Sequence, residues 1–323
     1  MLTIILIVST LMTFMSTNTL FTWMMLELNM LSFIPLMHTK NLTTETEASM
    51  KYTIPQSFGS SLFMMSTLMM PLTQSSKLLA STALILKLGG VPLHTWFPTV
   101  MELISPMTAL ILTTWQKMAP LLLLTTNELA YTPMIVLSAI ASALWGSTAG
   151  LNQTNLLKLM TFSSINHLSW LLMSSMLNSV TPIIYMASYS LTVLPIFLYM
   201  QTPNSTSYKT TLFPSLNNFH QLSFILSALS LASLPPLTMF LNKLPIITMM
   251  LTELLTPLLI LLLSAAVSLY FYLSLAIMMM LNFNTSPKMR MSENIPAIKS
   301  ILYTVSAVFQ MAALPLWCTT QIF

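Results

Sequence analysis

Apolar runs of roughly 20 residues, the length needed to cross the hydrocarbon core of a bilayer, recur along the chain between short polar breaks. The pattern predicts eleven spanning segments, at about 2–19, 21–38, 52–71, 78–99, 105–124, 132–150, 155–177, 180–200, 219–250, 256–282 and 300–321. The breaks are "HTKNLTTETEASMK", "TQSSK", "TTNELAYT", "QTPNSTSYKTTLFPSLNN" and "NFNTSPKMRMSENIPAIK". Residues 1–323 therefore read as a single all-α transmembrane bundle. The N-terminal "MLTIILIVSTLMTFMS" lacks a cationic leader and a small-residue cleavage site, so it is expected to be the first span.

Two segments break the helical pattern. The fourth holds "LKLGGVPLHTWFP", where Gly89, Gly90 and Pro92 should stop a helix. The ninth holds "LASLPPLTMFLNKLP", with Pro235, Pro236 and Pro245. A broken helix at membrane depth survives only inside protein or beside a wet cavity. Each is the fourth helix of a block of five. Five is odd, so a second copy would be inverted across the bilayer, and paired breaks in inverted repeats point to a transport path. The expected organisation is one repeat over 1–124, a second over 132–282, and a C-terminal helix at 300–321.

Composition fits this picture. Only 6% of residues are charged and 55% are hydrophobic, against roughly 25% charged in a soluble domain; mean hydropathy is +0.80. The net charge of +4 comes without any like-charged run, which excludes a nucleic-acid surface. Lys40, Lys51, Lys209, Lys288, Arg290 and Lys299 follow even-numbered segments and only Lys77 follows an odd one, so the N-terminus is expected in the compartment of synthesis. The sole cysteine, Cys318, excludes an internal disulfide or iron–sulfur site. No two histidines have metal-ligand spacing, and no phosphate-cradling glycine motif occurs. No cofactor held by this chain is expected.

Four ionisable residues fall inside spans: Glu27, Lys87, Lys117 and Lys243. Each would cost about 2.5–3.5 kcal/mol at the centre of a lipid-facing helix, so they are expected to face the bundle interior, a partner or water. Lys87 precedes the first break and Lys243 follows the second. A buried lysine exchanges its proton readily and a nearby carboxylate tunes it; Glu27 is expected to pair with Lys87. His167, among Ser163, Ser164 and Asn166, is expected either to relay protons or to be a hydrogen-bonded structural histidine. Lys158, near the start of the seventh segment, is expected either to lie at an interface or to relay protons. His38 and His220 are expected to be wetted, His94 to support the first break, and Glu45 and Glu47 to lie in a loop. "LYFYLSLAIMMML" is expected to serve packing and lipid contact.

Five stretches, "WMMLELNMLSFIPL", "LKLGGVPLHTWFPTV", "TTWQKMAPL", "GLNQTNLLKLMTFSSINHLSW" and "LPPLTMFLNK", taken in order, resemble the NADH dehydrogenase (ubiquinone) subunit 2 family of mitochondrial respiratory complex I, an antiporter-like proton-pumping family. The resemblance runs from about Phe21 to Tyr272. It implies two inverted five-helix repeats with broken helices. It also implies a carboxylate–lysine pair at Glu27 and Lys87, a central lysine at Lys117, a buried histidine at His167 and a second-half lysine at Lys243. NADH, flavin mononucleotide, iron–sulfur clusters and ubiquinone would belong to other subunits. The expected partners are other membrane-arm subunits and the mitochondrial inner-membrane bilayer, cardiolipin included. The family has glycines ahead of the paired prolines in the second break; here Ala232 and Ser233 stand instead, so that break is expected to rest on Pro235 and Pro236. The function read from all of this is proton translocation as a complex I subunit. A free-standing cation/proton antiporter and a non-pumping scaffold subunit are the two rival readings.

Overall fold

A computed structural model describes residues 1–39, 42–70, 75–201, 218–235, 237–285 and 297–320. Lys40, Lys209, Pro236, Lys288, Arg290 and Glu293 lie outside the described residues, as do the side chains of Glu253 and Cys318. All regular structure among the described residues is helical. The elements are α1 (Leu2–Met15), α2 (Thr19–Met37), α3 (Thr43–Met69), α4 (Ser76–Leu88), α5 (Trp96–Leu103), α6 (Pro106–Thr113), α7 (Trp115–Leu123), α8 (Thr132–Gly150), α9 (Leu156–Leu177), α10 (Val180–Met200), α11 (Asn218–Leu231), α12 (Thr238–Glu253), α13 (Leu255–Thr285) and α14 (Ala297–Thr320). Among the described residues α2, α8, α10 and residues Leu255–Met280 of α13 are each long and apolar enough to cross a membrane.

The bundle is organised around α9. Every residue from Ser163 to Ser175 is buried, and α5, α6, α7, α8, α10, α12 and α13 all pack against this helix. Its buried serines do not demand outside partners. Ser163, Ser164, Ser169, Ser174 and Ser175 each donate to the carbonyl three residues earlier in the same helix, so their burial leaves no hydroxyl donor unmet. On one side α8 comes unusually close. A β-carbon added at Gly146 would stand 2.7 Å from the Asn166 nitrogen and 2.9 Å from the Phe162 oxygen, so only glycine admits this approach.

Where the sequence suggests one helix over 105–124, α6 and α7 are separated at Thr114. The Thr114 hydroxyl (2.7 Å), the Thr113 hydroxyl (3.0 Å) and the Thr114 amide (3.0 Å) all converge on the Leu110 carbonyl. Side-chain donors crowd that acceptor and bend the helix without glycine or proline. Helix α3 also starts earlier than expected: Glu45 and Glu47 are helical rather than in a loop. Glu45 is buried and accepts from Thr39 at 2.7 Å, and Glu47 pairs with Lys51 one turn on.

The ends of α4 and α11 share one hydrogen-bond pattern. At the first, Gly89 is left-handed (φ 73), the Gly90 amide donates to Ile85 at 2.9 Å and the Gly89 amide to Leu86 at 3.0 Å. At the second, Ser233 is left-handed (φ 60), the Leu234 amide reaches Leu229 at 3.5 Å and the Ser233 amide reaches Ser230 at 2.9 Å. This is the Schellman arrangement, which glycine adopts freely. The second stop is thus set by Ser233 in a conformation expected of glycine, rather than by the prolines alone. A non-glycine residue in that conformation carries a penalty of roughly 1–2 kcal/mol. Ser233→Gly is expected to stabilise the protein by up to about 1 kcal/mol, once glycine's own entropy cost is subtracted, and Gly89→Ala to destabilise it by about 1–2 kcal/mol. Thermal denaturation of the detergent-solubilised protein checks both signs.

Candidate functional site

Lys87 occupies the last turn of α4, immediately before the Gly89 stop, where the carbonyl end of the helix favours a cation. The carbonyls released at that stop are taken up from other elements. Gln56 on α3 donates to the Lys87 carbonyl at 3.1 Å, and the Trp96 indole on α5 donates to the Leu86 carbonyl at 3.2 Å. Gly59 on α3 backs this turn so tightly that an added β-carbon would lie 3.1 Å from both Leu86 and Lys87. Helix α4 therefore stops without an unmet acceptor at Leu86 or Lys87, and the backbone of the lysine is held in place.

Lys87 and Lys117 line one cavity, closed by Asn29, Tyr52, Gln56 and Gln116 among its polar residues. Space for the centre of a water-sized sphere amounts to about 20 Å³, enough for roughly one ordered water at ~10–15 Å³ each. Gln116 spans the wall by donating to Asn29 at 3.0 Å. Glu27 is half-buried on α2, with its Oε2 atom buried and unbonded. It is the charged neighbour that acts on Lys87, but the two make no ion pair within 4.0 Å. The expected pair is therefore a through-space one.

Lys117 points from the first helical turns of α7 towards α9. It is 3% exposed, its ammonium donates to the Ser164 carbonyl at 3.3 Å, and it lies 5.0 Å from the centre of the Phe97 ring. Lys243, on α12, is 5% exposed and places its ammonium 4.8 Å over the Trp170 ring. A ring face offers a cation negative quadrupole charge where water is excluded. Among the described residues Lys87, Lys117 and Lys243 form no ion pair within 4.0 Å; the pairs there are Lys51–Glu47 and Lys158–Glu102. Lys158 lies at the start of α9 and meets Glu102 on α5 at 2.8 Å, both partly exposed.

His167 stands mid-way along α9. Both Lys117 and Lys243 act on it electrostatically. Its Nδ1 is 2.9 Å from the Tyr185 hydroxyl and its Nε2 is 3.4 Å from the Tyr272 hydroxyl. Tyr189 completes a set of three rings around it, 5.1 Å between centroids. Lysine, histidine and lysine thus succeed one another around the most deeply buried helix, and Lys87 joins the row through the shared cavity.

Set beside known proteins, the chain has counterparts in sequence and in fold. The family described as "NADH:quinone oxidoreductase/Mrp antiporter, TM" matches residues 71–268. NADH-ubiquinone oxidoreductase chain 2 of Lumbricus terrestris is 38% identical over 281 residues, covering 84% of each chain. The Anopheles gambiae protein of that name is 41% identical over 297 residues, covering 87% of this chain and 85% of its own. The chain belongs to the NADH-ubiquinone oxidoreductase chain 2 family. At the level of fold, a chain of respiratory complex I from Thermus thermophilus aligns over 93% of this chain and 74% of its own, with TM-score 0.81 at 22% identity. A chain of an archaeal membrane-bound sulfane sulfur reductase aligns over 98% and 73%, with TM-score 0.83 at 17% identity.

Several residues of this chain 2 site escape a reading of the sequence. Tyr272 lies in the stretch read as packing and lipid contact, yet it is fully buried against His167, while Tyr270 two residues earlier is 68% exposed. Tyr185 and Tyr189 are four residues apart on α10, a spacing that puts both on one face; that was the available signal. Gln56, Gln116 and Asn29 carried none. His220 is buried against the Tyr303 ring at 4.4 Å rather than wetted. His94 meets Trp145 edge to face, 5.5 Å between ring centres, beside the first stop. Gln56→Leu leaves the buried Lys87 carbonyl without its donor; a loss of about 1–3 kcal/mol is expected, measurable as a lowered thermal midpoint beside the unaltered protein.

Proposed function

We propose that this chain is a core membrane subunit of NADH-ubiquinone oxidoreductase carrying one antiporter-like proton channel. Electron transfer from NADH to ubiquinone in other subunits drives it. Those subunits hold the NADH, flavin mononucleotide, iron–sulfur and ubiquinone sites. The site is a mitochondrial inner membrane, with the N-terminus on the matrix side, and protons move from the matrix to the intermembrane space. The partners are neighbouring membrane-arm subunits and bilayer lipids, cardiolipin included. Residues 1–124 and 132–282 act as two inverted repeats, each contributing one half of the path, and 300–321 is the extra helix.

The observation that carries this reading is the row of three buried ammonium groups without carboxylate contacts. A charge held unpaired inside a bundle is costly and marks an ion path in membrane proteins. Protons enter near Glu27 and Lys87, cross the polar cavity to Lys117, pass the middle of α9 at His167, and reach Lys243 for release through the second repeat. The carboxylate at Glu27 biases Lys87 without capturing it, because no direct ion pair has to break. Charges along the row repel, so a proton arriving at one site promotes departure from the next. Water completes the gaps that exceed hydrogen-bond reach.

In vesicles containing the assembled complex, Lys117→Ala and Lys243→Ala are expected to lower proton movement per NADH oxidised, with assembly retained. Glu27→Gln is expected to lower it less, since it removes a bias rather than a carrier. Unchanged proton movement in both lysine variants would instead support a scaffold subunit.

A further inference from the structure

His167 is bracketed by two tyrosine hydroxyls, one on each ring nitrogen: Tyr185 from α10 on Nδ1 at 2.9 Å and Tyr272 from α13 on Nε2 at 3.4 Å. All three side chains are almost wholly buried. The charged groups that act on the imidazole are the ammoniums of Lys117 and Lys243, and two cationic neighbours oppose a third positive charge between them. A neutral imidazole has one N–H and one lone pair. One tyrosine must therefore donate to the ring while the other accepts from it, and exchanging these roles moves a proton from one side to the other.

We propose that Tyr185 and Tyr272 load and unload His167, so that the proton crosses α9 by a switch of imidazole tautomer, without an imidazolium intermediate. The step balances as follows. A proton arrives at the Tyr185 oxygen. The hydroxyl passes its own proton to Nδ1, the Nε2 proton moves to the Tyr272 oxygen, and Tyr272 releases its former hydroxyl proton onward. Two O–H bonds and one N–H bond break and the same number form, with no change of charge on the ring. The ring is left protonated on Nδ1 and must turn about its Cβ–Cγ bond before another proton passes in that direction, since reversing the transfers would carry the first proton back. The element therefore delivers single protons.

This relay rests on the reading of the chain as a proton channel, and the experiment separates the two. Tyr185→Phe, Tyr272→Phe and Tyr270→Phe each keep a ring in place; the last removes an exposed hydroxyl two residues before Tyr272 on α13. In vesicles with the assembled complex, Tyr185→Phe and Tyr272→Phe are expected to lower proton movement per NADH as far as Lys243→Ala does, and Tyr270→Phe to leave it unchanged. If the lysine variants lower proton movement and both bracketing tyrosine variants match the unaltered protein, the relay is overturned and the channel stands. If Tyr270→Phe lowers it equally, the loss is not specific to the two hydroxyls on His167 and the relay is overturned. If the lysine variants change nothing, the channel reading itself fails. Where one tyrosine variant does not assemble, the other decides alone, because passage needs both hydroxyls.

Discussion

Hydrocarbon offers a buried polar group nothing to bond with, so each such group in a spanning bundle must find its partner in the protein. In this chain α9 meets that constraint at its serines and at His167. Its serines return their hydroxyl protons to their own backbone, which lets a polar helix be surrounded on all sides. Around such a helix the bundle can afford what lipid forbids: a carbonyl and a ring face for Lys117, a ring face for Lys243, and two hydroxyls for His167. Without α9, Lys117 would lose its carbonyl acceptor and Lys243 its ring face.

The helix stops serve the same end. A stop exposes backbone carbonyls at depth, and at α4 these are answered by Gln56, Trp96 and the Gly89 and Gly90 amides. The lysine next to the stop is then anchored at one end by a fixed carbonyl and free at the other to face the cavity. Break, cap and lysine form one unit in which each part makes the next one affordable in free energy.

Much of this was legible in the residues. Apolar run lengths mark the helices because membrane thickness fixes them, and α8 and α10 begin and end at the residues that the pattern gave. Buried charges stood out because so few residues are charged. Other features were hidden for physical reasons. The Thr114 interruption has no glycine or proline to announce it; threonine hydroxyls compete for a carbonyl, and threonine pairs are common inside helices. Ser233 takes a glycine's conformation, so its role is set by tertiary packing rather than by residue type. The tyrosines around His167 look like any membrane aromatic, since only the three-dimensional register separates buried Tyr272 from exposed Tyr270. Glu27 and Lys87 could be paired in sequence, but the gap between them could not be read there.

The two helix stops have the same hydrogen bonds but different residues at the turn. At the first, glycine relaxes into its shape. At the second, serine is bent into that shape and holds a small reserve of elastic energy, roughly 1–2 kcal/mol. The molecule thus has one slack joint and one sprung joint.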